Sequence, residues 1–342
     1  MKLMTVGLTY DLRGQYLEQG FSEEDTVEFD GDDTIEAIST ALRDLGFRPV
    51  PIGNIWELTK RLAAGERWDF VFNIAEGLHG YGREAQVPCL LDAYQIPYTF
   101  SDPLLLTVTL HKATTKRLLR DLNLPTPDFA LVECERDLQE IELEYPLFVK
   151  PVAEGTSKGI TADCRVCAAA ELETVCMSLL EKYGQGVLVE EFLPGREFTV
   201  GLTGTGQDAR VLGVMEILLG PEAEPLVYSY ANKAHYEELV RYRLATDATA
   251  RQAAKIALAA WRGLGCRDGG RVDLRCDRHG KVNVIEINPL PGLNPERSDL
   301  CILARMAGIK YPELIDSIMR SALKRGRAAA SMHLARVAAT GI

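Results

Sequence analysis

The chain has 342 residues, of which 46% are hydrophobic and 25% charged, and carries a formal net charge of −11. This balance excludes a disordered or fibrous chain, and the length exceeds what one ordinary core fills, so two or three packed subdomains are expected. The negative excess repels a phosphate backbone and so excludes nucleic acid as a partner, while no apolar run approaches the roughly 18 residues of a membrane span.

In chain order, Leu3–Leu8 reads as a first strand, and Ile35, Ile38, Leu42 and Leu45 recur at helical spacing in a helix that opens near Asp32 and stops at Gly46. Arg48–Ile52 and Asp69–Ile74 follow as strands, with helices near Trp56–Ala63 and Ala85–Tyr94. Such alternation predicts a parallel sheet covered by helices. The break at Ser101-Asp102-Pro103 ends this N-terminal α/β domain, residues 1–103. Two helical stretches, Leu104–Leu110 and Lys112–Leu122, then lead past Pro125 and Pro127 into an α+β lobe, residues 104–194. Its strands start at Phe129 and cover Leu147–Lys150 and Gly186–Glu191, with a helix over Ala168–Tyr183. Leu193-Pro194-Gly195 turns into a third lobe, residues 195–324, with strands at Glu197–Gly201 and Ala209–Ile217 and a polar loop near 220–245. The helix Asp247–Gly263, two strands and two helices complete it. Residues 325–342, alanines among scattered basic residues, read as a flexible tail with no assigned function.

Eight cysteines stand singly apart from Cys164 and Cys167, and the five histidines cluster with nothing. Zinc needs further ligands at matching spacing, so ordinary reduced thiols are favoured, as in a cytoplasmic protein.

Four features carry chemistry. The strands Arg271-Val272-Asp273 and Glu286-Ile287-Asn288 flank the turn Asp277–Gly280, and alternation puts 271 with 273 on one face and 286 with 288 on one face. With Cys276 facing Lys281 across the turn, Arg271 stands opposite Glu286 and Asp273 lies diagonal to it. Charges on such a face are costly unless paired or holding an ion, and Asp273, Glu286 and Asn288 carry the oxygens that Mg²⁺ prefers. A surface pair between Arg271 and Glu286 on an edge strand is the competing explanation.

The second feature is a strand ending in Lys150, followed by Glu154, Gly155, Thr156, Ser157, Lys158 and Gly159. Glycines and small hydroxyl residues let backbone N–H groups approach phosphate, although the Walker A pattern is absent and an ordinary hairpin turn fits as well. Third, Glu190, Glu191 and Leu193 end a strand and Glu197 follows the Pro-Gly turn, where a carboxylate could accept from ribose hydroxyls or merely be solvated. Fourth, Lys112 opens a helix, a position that is solvated surface in most proteins.

In this order the pieces resemble the ATP-grasp fold, and they are most similar to the D-alanine–D-alanine ligases, from about Asp69 to Leu314. The most specific parts are VKP at 149–151, EGTSKG at 154–159, GREFTV at 195–200, LGCRDGGRVDLR at 264–275 and IEINPLPGLNP at 285–295. The resemblance implies a three-lobed ATP-grasp fold behind an N-terminal parallel α/β domain. It implies an ATP-dependent ligase that joins two amino acids through an acyl phosphate in peptidoglycan synthesis and cell-wall biogenesis, with a homodimer as the implied assembly.

ATP is then held by Lys112, Lys150, the loop Glu154, Gly155, Thr156 and Ser157, by Glu190, Glu191, Leu193 and Glu197, and by Lys233. Two Mg²⁺ ions, replaceable by Mn²⁺, fall to Asp273, Glu286 and Asn288. Arg271, Ser157 and Gly292 take catalytic places, and Glu76, His79, Arg271, Asn288, Gly292, Arg297 and Ser298 face the amino acids.

The chain also departs from the family pattern. A glycine-rich stretch with a serine and a glutamate is not recognisable in Gly7–Gly20, and the family's tyrosine after a loop lysine is Ala234 here, after Lys233. The stretch Asn294–Ser298 is about one residue longer than usual. A ligase of the same mechanism with other amino acids, and a nucleotide-binding regulator without catalysis, are the alternatives. An intact Arg271, Asp273, Glu286 and Asn288 set argues against the latter, because binding alone needs no oxyanion arginine.

Overall fold

A computed structural model describes residues 3–220 and 240–340. Among these residues three sheets form, each with its own helices. In the first, β1 (Thr5–Thr9) lies between β2 (Arg48–Gly53) and β3 (Phe70–Asn73), all parallel. Parallel neighbours need crossovers, supplied by α2 (Asp32–Asp44) and α3 (Ile55–Ala63). Helix α2 places Ile35, Ile38, Ala41 and Leu42 on one buried face, begins with Asp32 and Asp33 where the dipole favours acids, and stops at Gly46, whose φ of +84° suits glycine. A short helix absent from the sequence expectation, α1 (Arg13–Glu18), precedes it. After a 3₁₀ turn at Arg83–Ala85, helices α4 (Gln86–Ala93) and α5 (Pro103–Leu110) lead into α6 (Lys112–Asp121).

The second sheet is antiparallel, in the order β4 (Phe129–Val132), β7 (Val187–Glu191), β5 (Leu147–Pro151), β6 (Arg165–Val166), and α7 (Ala169–Tyr183) covers it with Leu172, Cys176 and Leu179. In the third, also antiparallel, the order is β10 (Val240–Leu244), β9 (Arg210–Leu219), β8 (Glu197–Thr203), β11 (Gly269–Cys276), β12 (Val282–Asn288). Helix α8 (Ala248–Leu264), capped by Asp247, lies on this sheet through Ala250, Ala253, Ala257, Ala260 and Trp261. Small alanines bring the helix close, and Gly270 completes the fit, since a Cβ there would stand 2.6 Å from the Trp261 ring.

Two last helices, α9 (Asp299–Met306) and α10 (Tyr311–Thr340), return to the first domain. Leu300, Leu314, Ile315 and Ile318 share one core with Val6, Leu8, Ile38 and Phe72, so the first and third units are packed as one body. Arg325, the first residue of the expected tail, is tied into this junction. It pairs with the fully buried Asp268 at 2.6 Å and donates to the Tyr98 carbonyl at 2.9 Å, while Asp268 also accepts from Phe100 N and Ser321 Oγ. Arg325→Ala should therefore lower stability by about 3 kcal/mol, the cost of leaving a buried carboxylate without its cation. Thermal unfolding checks this, and an unchanged midpoint would show that the neutral donors suffice for Asp268.

Candidate active site

The hairpin β11–β12 builds the centre of the site, in a register different from the expected one. Cys276 pairs with Val282 rather than Lys281, so the turn holds one more residue, and the register shifts again between Asp273 and Leu274. Each slip of one residue alone would turn the strand over; together they amount to two and restore the faces. The result is tighter than expected. Asp273 stands directly opposite Glu286 and Arg271 opposite Asn288. From the other side β8 sets Thr199 opposite Asp273, and its hydroxyl donates to Asp273 Oδ1 at 2.8 Å. Arg271 Nη1 and Asn288 Nδ2 donate to Asp273 Oδ2.

Electrostatics follow from that register. Burial raises the Asp273 carboxyl above its ordinary range, Arg271 pulls it back, and Glu286 and Asp299 push it up again. Burial would raise Glu286 too, but Lys112, Arg271 and Lys150 hold it down at about 2. Lys112, expected to be exposed in most folds, is buried at the start of α6. Its Nζ lies 3.0 Å from Glu286 Oε1 and donates to the Glu154 carbonyl at 2.5 Å.

Lys150 extends from β5 to Glu190 Oε1 at 2.6 Å, and the other Glu190 oxygen faces Lys116 Nζ at 2.7 Å. Glu190 is therefore not open to a ribose as expected: it is buried between two lysines, whose charges hold it ionised against its desolvation. Lys116 was missed by the sequence reading. Its sequence carries little signal, because two lysines four residues apart on a helix repel by only a few tenths of a kcal/mol when solvated. Burial lowers Lys116 to about 8 despite Glu190.

Over the lysines lies the loop 154–159. Thr156 and Ser157 have φ of +48° and +57°, a left-handed backbone that a β-branched residue avoids without a compensating role. Gly155 N donates to Glu28 Oε1 at 2.6 Å, and a Cβ on Gly155 would sit 2.3 Å from that oxygen, so any other residue there would displace the Glu28 carboxylate. Glu154 pairs with Lys158 at 3.0 Å and accepts from Gln185.

A narrow cleft of about 100 Å³ lies beneath this loop, and its walls include the charged Lys112, Lys150, Glu286 and Arg271 and the apolar Phe148, Ile217 and Ile285. These apolar residues, too, were not anticipated. Glu197 lines the same cleft opposite Arg275, 3.4 Å away, and burial raises its carboxyl while Arg275 offsets part of the rise. Glu190, Glu191 and Leu193 are not among the residues lining it.

A larger cavity of about 630 Å³ opens between the first and third units and is lined by Glu28, Asp30, Gly292, Arg297, Ser298 and Asp299. Cleft and cavity have Thr156, Arg271 and Asp299 in common. Arg297 is held by Asp33 through two hydrogen bonds of 2.7 and 2.9 Å, and Ser298 Oγ accepts from Asn294 N at 2.9 Å.

Two expected substrate contacts are not brought there. His79 lines a different cavity, with Glu24, Lys158 and Tyr183. Glu76 lines neither the cleft nor the larger cavity; burial, with Glu84 and Glu28 nearby, pushes its carboxyl well above the usual range. Lys233, with the tyrosines near it, lies outside the described residues.

Hard-ion chemistry fits the hairpin. Asp273 and Glu286 are opposed carboxylates whose mutual repulsion a cation would relieve, and Asn288 adds an amide oxygen. Among the described residues no group of three acidic, histidine or cysteine side chains could hold a metal ion, so the remaining ligands of such an ion would have to be phosphate oxygens and water, as Mg²⁺ favours.

A family model described as D-ala D-ala ligase C-terminus matches residues 118–320. An uncharacterized protein of Sinorhizobium fredii is 36% identical over 260 residues, 75% of each chain. A D-alanine–D-alanine ligase of Bordetella avium is 34% identical over 280 residues, 80% of this chain and 84% of its own. The crystal structure of a D-alanine–D-alanine ligase from Bacillus anthracis complexed with ATP shares the fold, with a TM-score of 0.72 at 23% identity, covering 96% of this chain and all of that one.

Proposed function

This chain belongs to the D-alanine–D-alanine ligase family of the ATP-grasp fold, and from that premise we propose that it uses ATP to join two amino acids, D-alanine with D-alanine in the first instance, for peptidoglycan. One observation carries this reading: the cleft that holds Lys112 and Lys150 and the larger cavity meet at Arg271. Phosphate from one side and a carboxylate from the other come together there.

In this reading Lys112 and Lys150 exchange their partners Glu286 and Glu190 for phosphate oxygens, while Lys116 stays with Glu190 and keeps that acid in place. Phe148, Ile217 and Ile285 enclose the adenine and Glu197 serves the ribose. A cleft of about 100 Å³ is smaller than the roughly 300–1,000 Å³ of ligand pockets. The loop bearing Thr156 and Ser157 therefore opens to admit the nucleotide and closes to keep water from the acyl phosphate.

Asp273, Glu286 and Asn288 are the residues that would hold Mg²⁺, which when bound neutralises phosphate charge. Arg271 then stabilises the oxyanion that develops at the carbonyl, with the backbone N–H of Gly292 beside it. No helix among the described residues is long and apolar enough to cross a membrane, and a cytoplasmic, homodimeric enzyme is part of the proposal.

Phosphate release with D-alanine, and mass spectrometry of the product, test the assignment. We expect ADP, phosphate and a dipeptide in equal amounts. ADP with no dipeptide from D-alanine, but with one from another amino-acid pair, would move the substrates and keep the mechanism; the cavity of about 630 Å³, roomy for two alanines, and the altered N-terminal stretch are what favour this second reading. Nucleotide binding without any ADP formation would remove the catalytic assignment.

A further inference from the structure

The residue immediately after Ser298 was given no role above, yet it sits where the chemistry must occur. Only Thr156, Arg271 and Asp299 line both the cleft and the cavity among the described residues. On the ligase reading, the activated carbonyl carbon lies at that junction, and the acceptor nitrogen must approach it within about 3–3.5 Å. Of the three shared side chains one is neutral, one is cationic and one, Asp299, is anionic. We propose that Asp299 receives the ammonium group of the acceptor amino acid and so orients its nitrogen, which, once a proton has passed to solvent, attacks the acyl-phosphate carbon and forms the C–N bond as phosphate leaves.

Three further observations support it. Asp299 is the first residue of α9, and its side chain is only 5% exposed, with Oδ2 3.8 Å from Arg271 Nη1. A helix start alone would welcome a carboxylate; an aspartate there reverses the preference toward a cation. The cavity's other arginines are already matched by acids, Arg297 by Asp33 and Arg13 by Glu23, whereas Asp30 faces the same space with its carboxyl raised to about 6 by burial despite Thr34 and Arg297. Among the described residues the charges near Asp299 include Arg271 and Asp273 on β11, Glu197 on β8, Glu286 in the cleft, and Glu28, Asp30 and Arg297 in the cavity. Arg271 is common to the donor's carbonyl and to Asp299, so one guanidinium fixes both reactants relative to each other.

The proposal rests on the ligase reading, and its test separates the two. Wild type and Asp299→Asn are compared with Mg-ATP and the donor amino acid, using first the acceptor amino acid and then hydroxylamine, which is uncharged near neutral pH and needs no carboxylate. A hydrogen bond between charged groups is worth about 1.5–3 kcal/mol, so the acceptor KM should rise roughly ten- to a hundredfold in the variant. Hydroxamate formation and the KM for ATP should change by far less, and Asp299→Glu should recover part of the acceptor affinity. An unchanged acceptor KM overturns the assignment. An equal fall in peptide and hydroxamate also overturns it, because Asp299 would then serve the fold or the phosphate site. If wild type forms neither ADP nor hydroxamate with any amino acid, the ligase reading fails and this assignment fails with it.

Discussion

Glu286→Gln should lower ligation by about a thousandfold or more while leaving the thermal midpoint within a few degrees of wild type. A loss of that size corresponds to roughly 4 kcal/mol, the scale on which a bound metal stabilises charge in a transition state. The substitution keeps shape and removes charge. Lys112 loses its ion-pair partner but still donates to the Glu154 carbonyl, so the helix start remains anchored. Asp273→Asn should act in the same way, because Thr199 and Asn288 still surround the side chain and Arg271 keeps Asp299 nearby. ADP production titrated against Mg²⁺ is the measurement, with a large rightward shift or no saturation expected. Near-wild-type ligation by both variants would sink the metal assignment and return the hairpin to a structural ion-pair network.

Much of this site was legible because its chemistry is local. Strand alternation alone put Arg271 with Asp273 and Glu286 with Asn288, and no long-range contact was needed to see the set. Its register was not legible, since a one-residue change in the turn and the irregularity after Asp273 leave no mark in the pattern of side chains. The two errors cancelled because faces depend on whether a shift is odd or even.

Lys116 and Arg325 illustrate the opposite case. Both are basic residues on helices, ordinary in sequence, and both are decided by acids far along the chain, Glu190 and Asp268. Glu190 is a nucleoside contact in the sequence reading because a carboxylate at a strand end could accept from ribose hydroxyls and because the family resemblance implies it; burial between two lysines is a tertiary outcome that periodicity does not encode. Glu28 belongs here as well. It lies in a stretch with no recognisable pattern and becomes important only where the fold sets it against Gly155.

Arg271→Ala is expected to reduce acyl-phosphate formation by roughly a hundred- to a thousandfold, the cost of removing one preorganised donor from a developing oxyanion. Binding of ATP should change by no more than about threefold, because the proposed function gives the ground-state phosphates to Lys112 and Lys150 and not to Arg271; an interaction made only in the transition state appears in rate and not in affinity. The structure adds a complication that the experiment must handle. Arg271 also compensates Asp273 and Asp299, and its removal leaves two buried acids facing Glu286 with less positive charge. Part of the loss could then arise through weaker metal binding, so the rate is read at saturating Mg²⁺. Arg271→Lys provides the control: it restores charge to the acids but lacks the planar fork that can hold a carboxylate and an oxyanion together. We expect the lysine variant to regain normal Mg²⁺ dependence and still to be slow. If instead it regains full rate, Arg271 acts as a counter-charge only; if ATP affinity falls in proportion to rate in the alanine variant, it is a ground-state phosphate contact.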